Sequence, residues 1–295
     1  MGKLRGAAVL AGFAALTLPL LPVQAALVRF APGLARRLPH WYHRQVCRLV
    51  GLRLRVEGEV ARGVPVLLVS NHTSWLDISV LSAVAPVSFV AKREVGGWPG
   101  VGTLARLQRT VFVDRERRAK VAETAGEIMS RLAAGDTVVL FAEGTTSDGN
   151  RVLPFRSSLF AAVKPTRAVA PTSAAGAHQG DVDVQTVAVV YTRRNGLSLG
   201  RHERHSIGWY GDMEMLSHAW AVLQGGPIDV TVRIGPRRPL EAFADRKALA
   251  VESESAIRRS VVGILRGRDD LEPTPPPPAA RAPVLLPKGD GERWK

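Results

Sequence analysis

A run of apolar residues that ends abruptly in a polar cluster constrains the fold of this chain more than any other feature. Residues 64–69 read Val-Pro-Val-Leu-Leu-Val, which predicts a buried strand. Residues 70–77 follow as Ser-Asn-His-Thr-Ser-Trp-Leu-Asp, and Ser74 is a candidate N-cap for a helix whose first turn carries Asp77. The polar cluster is therefore expected at the end of a strand, where α/β proteins usually build their sites.

His72 and Asp77 form the candidate catalytic pair within this cluster. Their spacing is poor for one helix but suits a strand–turn–helix junction, where Asp77 can reach back to the imidazole. An imidazole held in this way can take a proton from a hydroxyl near neutral pH, because its unperturbed pKa is about 6.5. A histidine at a strand end can also be purely structural, and the pair alone leaves both interpretations open.

Strand and helix patterns alternate along the rest of the chain. Apolar runs predict strands at 52–58, 64–70, 87–91, 137–142, 184–191 and 230–234, and an amphipathic pattern predicts a helix at 116–134. Asp245 is the candidate cap of a last helix. This order predicts an α/β domain over residues 51–268, with a mixed, largely parallel sheet flanked by helices. The proline-rich residues 269–295 predict a disordered tail, and the irregular residues 164–183 a surface loop.

The first 56 residues carry nine basic side chains and no acidic one, and so hold nine of the +14 net charges. Residues 7–28 form an uncharged apolar run, so residues 1–50 predict a membrane anchor followed by a basic interfacial segment. Pro19 and Pro22 are expected to break a straight span, which leaves open whether the run crosses the bilayer or lies in its interface. A signal peptide cleaved after Ala25 is the alternative.

The charge pattern also bears on partners and compartment. Basic residues that flank an apolar helix favour a membrane partner over nucleic acid, and place the main domain on the cytoplasmic side of the membrane. Aromatic and basic residues do not interleave in the way that RNA-binding surfaces require. The single cysteine, Cys47, excludes an internal disulfide and a cysteine-rich metal site.

Two more polar clusters follow predicted strands. Residues 110–115 are a short apolar strand that ends in Arg115, and Lys92 follows the strand before it, so both cations can hold an anionic group. Residues 141–149 deliver Glu143 into a turn rich in glycine and hydroxyl side chains, where Gly144 lets the backbone approach a ligand. A solvated basic rim and an ordinary polar turn are the alternatives.

In this order and spacing, the clusters resemble the four sequence blocks of the glycerolipid acyltransferases, whose best-known members are the 1-acylglycerol-3-phosphate acyltransferases. The blocks are residues 71–77, 112–115, 141–147 and 187–190. The resemblance implies that His72 is the general base, that Asp77 orients it, and that the acyl donor is acyl-CoA or acyl-carrier protein. It implies no metal, no cofactor and no acyl-enzyme. The residues it assigns to substrate binding are Arg115, Glu143, Gly144, Thr145 and Lys92.

Four positions depart from the pattern of that family. Arg109 and Ala142 stand where the family usually has Gly and Pro, Ala188 stands where Pro is common, and Thr146 replaces an arginine that would pair with an acceptor phosphate. Residues 143–155 and the stretch Trp-Tyr-Gly-Asp-Met-Glu at 209–214 are more similar to the bacterial lyso-ornithine lipid acyltransferase branch.

We therefore expect an inner-membrane O-acyltransferase that acts on lyso-ornithine lipid, with the ornithine amine paired to Glu143 or Asp148. The alternatives are 1-acyl-sn-glycerol-3-phosphate as the acceptor, which would yield phosphatidic acid, or activity on both acceptors. A non-enzymatic basic surface protein and a secreted thioester hydrolase are the competing classes.

Overall fold

The computed structural model describes residues 1–113, 118–162 and 182–267. Arg115, the predicted loop apart from its last two residues, and the predicted tail lie outside this part of the chain. The helices are α1 (Gly2–Phe30), α2 (Pro32–Val50), α3 (Leu76–Val84), α4 (Val101–Leu107), α5 (Arg118–Ala133), α6 (Met215–Gln224) and α7 (Arg246–Leu265). The strands are β1 (Leu52–Glu57), β2 (Val66–Ser70), β3 (Val87–Lys92), β4 (Val111–Val113), β5 (Thr137–Phe141), β6 (Asp183–Arg194), β7 (Leu197–Ser198), β8 (Ile228–Ile234) and β9 (Arg238–Pro239).

The strands form one mixed sheet in the order β1-β8-β6-β2-β5-β3-β4, and the short β7 and β9 pair with β6. β6, β2, β5, β3 and β4 are all parallel, as is the pair β1 and β8. The pairing of β6 with β8 is antiparallel. The predicted fold class, a largely parallel sheet flanked by helices, is therefore confirmed.

Both faces of the sheet are buried, which explains why β2 is continuously apolar rather than alternating. All five residues of β2 are buried. Val66 and Leu68 pack with α2 and α3 on one face, whereas Leu67 and Val69 pack with α5 and α7 on the other.

The register of the central strands brings the two polar loops together. Ser70 at the end of β2 pairs with Phe141 at the end of β5, and β3 runs parallel on the far side of β5. Because these strands are parallel, the residues that follow β2 and β5 emerge at the same edge of the sheet. The segment 71–77 therefore lies beside the segment 142–147.

The N-terminal helix is held against the domain by polar contacts along its length. Arg5 donates hydrogen bonds to the carbonyl oxygens of Leu223 and Val50, and Thr17 Oγ1 lies 2.8 Å from the Tyr42 hydroxyl. The Nε2 atom of Gln24 donates to the carbonyl oxygens of Ala35 and Leu107, both at 2.9 Å. These contacts join α1 to α2, α4 and α6.

The outward side of α1 remains apolar. Leu4, Leu10, Leu18, Val23 and Phe30 are all exposed, and in length and composition α1 could cross a membrane. Pro19 and Pro22 lie inside the continuous helix, so the expectation that they break it is wrong. The missing proline N–H groups weaken the helix locally, and its packing against α2, α4 and α6 compensates.

Of the two predicted helix caps, one is confirmed and one is wrong. Asp245 caps α7 and accepts hydrogen bonds from the amides of Lys247 and Ala248. Ser74 is not the N-cap of α3, because the helix begins at Leu76 and Trp75 takes that position. The Asp77 carboxylate in the first turn instead reaches back and accepts the amides of Thr73 and Ser74, which precede the helix.

A buried histidine on α2 connects this helix to α3 and α4. His43 Nδ1 lies 3.1 Å from Ser79 Oγ and its Nε2 lies 2.9 Å from Gln108 Oε1, while Gln108 donates to Ser82 Oγ. Burial lowers the pKa of His43 to about 4, so the ring is neutral in the folded protein. The hydrogen bond that His43 Nε2 donates to Gln108 Oε1 opposes this effect only in part.

We expect His43 to make the protein less stable in acid. Because its pKa falls from about 6.5 unfolded to about 4 folded, the unfolded chain binds the extra proton more readily, and stability is lost as pH falls through this window. The loss is about 3 kcal/mol at most. Urea unfolding in detergent at pH 7.5 and 4.5 would measure it, and His43→Leu should flatten the pH dependence while lowering stability at both pH values.

His202, which is exposed, offers the matched control. His202→Leu should retain the pH dependence of the wild type. An equal loss of stability on acidification in His43→Leu and wild type would contradict the assignment.

Candidate active site

Asp77 is the most constrained side chain of the site. It is fully buried, and its Oδ2 accepts hydrogen bonds from His72 Nδ1 at 2.8 Å, Thr73 N at 2.7 Å and Ser74 N at 3.0 Å. Its Oδ1 accepts a hydrogen bond from the Tyr191 hydroxyl at 2.6 Å. Burial and the neighbouring Asp77 raise the pKa of Tyr191 well above its usual value, so Tyr191 stays a donor. Four donors thus hold one carboxylate in place.

This carboxylate fixes the orientation of His72. With Nδ1–H directed at Asp77, the neutral ring has its acceptor lone pair on Nε2. One face of the imidazole stacks on Phe141, with ring centroids 3.8 Å apart and planes 14° apart. The side chain is 18% exposed, and no described residue hydrogen-bonds to Nε2. His72 therefore presents an oriented, reachable base.

Glu143 lies behind His72 rather than in front of it. It is buried, and its two carboxylate oxygens accept hydrogen bonds from the amides of His72 at 2.9 Å and Leu153 at 3.0 Å. Burial raises its pKa to about 8, against the lowering effect of these two bonds. Ser147 N completes the link between the loops by donating to the His72 carbonyl at 2.8 Å. This placement favours a positioning role for Glu143 over contact with a headgroup.

Asn71 joins the catalytic loop to β6. Its side-chain amide donates to the carbonyl of Val189 and its carbonyl accepts the amide of Val189, both at 2.9 Å. Residues of the first and fourth predicted blocks are thereby locked together. Tyr191, two residues further along β6, was missed by the sequence analysis, and its place just past the fourth block is the signal that could have found it.

The other predicted substrate-binding residues lie at the same edge of the sheet where the structure describes them. Gly144 is buried in a left-handed conformation with φ 73°, which explains a glycine there, and Thr145 next to it is exposed. Lys92 is exposed at the end of β3. Arg115 lies outside the described residues. Among those that are described, no group of three or more His, Cys, Asp or Glu side chains could hold a metal ion.

The departure at Arg109 has a structural explanation. Arg109 adopts φ 62°, a conformation that favours the glycine expected there. Its guanidinium lies 2.8 Å and 3.1 Å from the two carboxylate oxygens of the buried Asp136, and Arg36 of α2 contacts the same carboxylate at 2.8 Å. This buried ion cluster offsets the strained backbone and ties α2 to the sheet.

An apolar cavity of about 500 Å³ opens next to the start of α3. Trp75 and Ile78, which flank Asp77 in sequence, line it together with residues of α1, α2, α4 and α6. Its volume is that of an ordinary small-molecule site. The sequence analysis did not place this cavity, because its walls come from helices far apart in the chain. A larger basic groove of about 1090 Å³ lies near the opposite edge of the sheet, away from His72.

The fold and the oriented histidine agree with the comparison with known proteins. A family model described as Acyltransferase matches residues 53–190. The chain belongs to the acyltransferase family, and the resemblance inferred from the four blocks is confirmed.

Individual relatives sharpen this assignment. The chain is 49% identical to a lyso-ornithine lipid O-acyltransferase of Brucella abortus, over 91% of this chain and 98% of that protein. It is 42% identical to the lyso-ornithine lipid O-acyltransferase of Rhizobium meliloti, over 91% and 90%. The crystal structure of the 1-acyl-sn-glycerophosphate acyltransferase of Thermotoga maritima has the same fold, with a TM-score of 0.63 and 22% identity, over 92% of this chain and 100% of that one.

We expect Asp77→Asn to lower kcat by about 10²- to 10⁴-fold, because an amide cannot keep His72 in the productive tautomer. Tyr191→Phe removes just one of the four donors to Asp77 and should lower kcat by less than tenfold. Steady-state acyl transfer by the purified variants measures both effects. A wild-type kcat in Asp77→Asn would overturn the assigned geometry.

Glu143→Gln separates a positioning role from headgroup binding. The new side-chain NH₂ would face one of the two backbone amides, which leaves a buried donor unpaired at a cost of about 1–3 kcal/mol. We therefore expect a lower kcat and a lower free energy of unfolding, with little change in the KM for the acceptor. A raised acceptor KM with unchanged kcat would instead assign Glu143 to the headgroup.

Proposed function

We propose that this protein transfers a fatty acyl group from an acyl thioester to the free hydroxyl of lyso-ornithine lipid. The observation that carries the proposal is the reachable Nε2 of a histidine locked by Asp77, in a loop whose Trp75 lines an apolar cavity. Both relatives described above carry the name of this activity. The substitution of Thr146 for an arginine supports an acceptor without phosphate, since a bidentate phosphate contact is lost.

His72 carries the chemical step in this proposal. Its Nε2 takes the proton of the acceptor hydroxyl as the oxygen attacks the thioester carbonyl, and Asp77 stabilises the imidazolium that forms. The tetrahedral intermediate then collapses, the carbon–sulfur bond breaks, and His72 returns the proton to the departing thiolate. The acyl group passes directly to the acceptor, so no acyl-enzyme is required.

The oxyanion of the intermediate needs hydrogen-bond donors. Many amides of the two catalytic loops are already engaged: Thr73 N and Ser74 N bind Asp77, and His72 N binds Glu143. The amides of Thr145 and Thr146 have no acceptor among the described residues. We assign them as the oxyanion donors.

The remaining substrate groups follow from charge and polarity. Lys92, a fixed cation at the end of β3, is a candidate for the carboxylate of the ornithine headgroup, and Arg115, which lies outside the described residues, is the other. The apolar cavity takes a fatty acyl chain, because its walls are almost wholly hydrocarbon. Acyl-CoA or acyl-carrier protein supplies the thioester.

We infer that α1 places the protein on the cytoplasmic face of the bacterial inner membrane. Its exposed apolar side and the acid-free basic segment that follows fit a bilayer with anionic headgroups. The hydrogen bonds of Arg5, Thr17 and Gln24 to the rest of the domain argue against a cleaved signal peptide, because cleavage would leave buried polar partners unsatisfied.

Acyl transfer by detergent-solubilised protein tests the proposal. A labelled acyl thioester is offered with lyso-ornithine lipid or with 1-acyl-sn-glycerol-3-phosphate in separate reactions. We expect acylation of lyso-ornithine lipid, and a loss in His72→Ala of at least about 10²-fold.

Acylation of the phosphate acceptor alone would replace the proposed substrate with the alternative. Wild-type activity of His72→Ala on either acceptor would overturn the mechanism.

A further inference from the structure

The segment 208–214, which the mechanism above does not use, packs directly on both catalytic loops. Trp209 N donates a hydrogen bond to the Thr73 carbonyl at 2.9 Å, one residue from His72. Gly208 is buried against the backbone of Ser147 and Asp148, where an added Cβ would lie 3.1 Å from the Ser147 carbonyl oxygen. A side chain at this position would make an unusually tight contact and push the Ser147 backbone away. The segment is therefore positioned by the same loops that position the base.

Internal hydrogen bonds give this segment a defined shape. Trp209 Nε1 donates to the Met213 carbonyl at 2.8 Å, and Gly211 turns the chain with φ 63°. Glu214 then caps α6 by accepting the amides of Leu216 and Ser217. Asp212, at the tip of the turn, is exposed, and its carboxylate has no hydrogen bond or ion pair within the described residues.

A second tryptophan, Trp98, packs against Trp209. The rings of Trp98 and Trp209 lie with centroids 6.1 Å apart and planes at 83°, and Trp98 is 36% exposed. Val95 and Pro99, on either side of Trp98, line the apolar cavity, as does Met215 directly after the segment. The two rings thus form a corner near the cavity and next to the catalytic loop.

We propose that this aromatic corner, Trp98 and Trp209, together with the carboxylate of Asp212, binds the ammonium group of the acceptor's headgroup. The inference rests on the proposed function, and it assigns residues that determine which acceptor that site takes. In this edge-to-face pair an uncovered indole face attracts a cation through its quadrupole, and the carboxylate of Asp212, three residues after Trp209, adds charge attraction.

The same groups disfavour a phosphate headgroup. The electron-rich ring faces and the Asp212 carboxylate repel a dianion. Thr146 stands where the family usually has an arginine that would pair with a phosphate. Glu143 cannot serve the amine instead, because both its oxygens are engaged with backbone amides behind His72. The corner therefore supplies the amine recognition that was expected of Glu143 or Asp148, and the two carboxylate oxygens of Asp148 accept hydrogen bonds from Asn150.

The test compares a charged acceptor with a neutral one. Lyso-ornithine lipid and the same lipid acetylated on its side-chain amine are offered to wild type, Trp209→Leu, Trp209→Phe and Asp212→Asn. We expect Trp209→Leu and Asp212→Asn to raise the KM for the charged acceptor about 5- to 30-fold and to leave the KM for the neutral acceptor within about twofold. Trp209→Phe should fall between Trp209→Leu and wild type, because a smaller ring remains.

Glu241→Gln, an exposed acid elsewhere, is the matched control for the loss of one surface charge and should change neither KM. Asp212→Asn alters an exposed side chain only, so it tests the inference even where Trp209→Leu disturbs the loop. Two results would refute the inference and leave the proposed function intact. One is an equal change in the KM for both acceptors in the variants, and the other is a wild-type KM that acetylation of the acceptor does not change. A wild type that acylates neither aminolipid would overturn the proposed function itself.

Discussion

The buried carboxylate of Asp77 is the interaction on which the rest of the structure depends. An isolated charge at this position would be prohibitively costly, and four donors, three from the loop after β2 and one from β6, offset that cost. Together these donors fix three features: the tautomer of His72, the turn after β2, and the approach of β6 through Tyr191. The same four hydrogen bonds therefore orient His72 and hold the loop after β2.

A second carboxylate supports the first from the other side of the loop. Glu143 accepts a hydrogen bond from the backbone amide of His72, and Phe141 stacks on the His72 imidazole. The end of β5 and the loop after it therefore fix both the backbone and the side chain of His72. Asn71 binds the backbone of β6 in the same way. Three neighbouring parallel strands therefore converge on one histidine, which keeps its geometry independent of the exposed loops where an acceptor would bind.

The two N-terminal helices pack as integral parts of the folded domain. α2, which the sequence presents as an interfacial segment, buries His43 and joins Arg36 to Asp136 beneath the sheet. α1 supplies one wall of the cavity and exposes apolar residues on its other side. An acyl chain in that cavity would therefore lie between α3 and α1, the helix whose outward side is apolar.

The sequence by itself determined the sheet, the edge that carries the polar loops, and the His72–Asp77 pair, because apolar runs, caps and short spacings are local signals. It could not determine that Glu143 binds backbone amides, that Tyr191 donates to Asp77, or that Trp98 packs against Trp209. Those depend on strand order and on contacts between residues far apart in the chain, which no local pattern records. The cavity has the same origin, since five helices must pack before its walls exist.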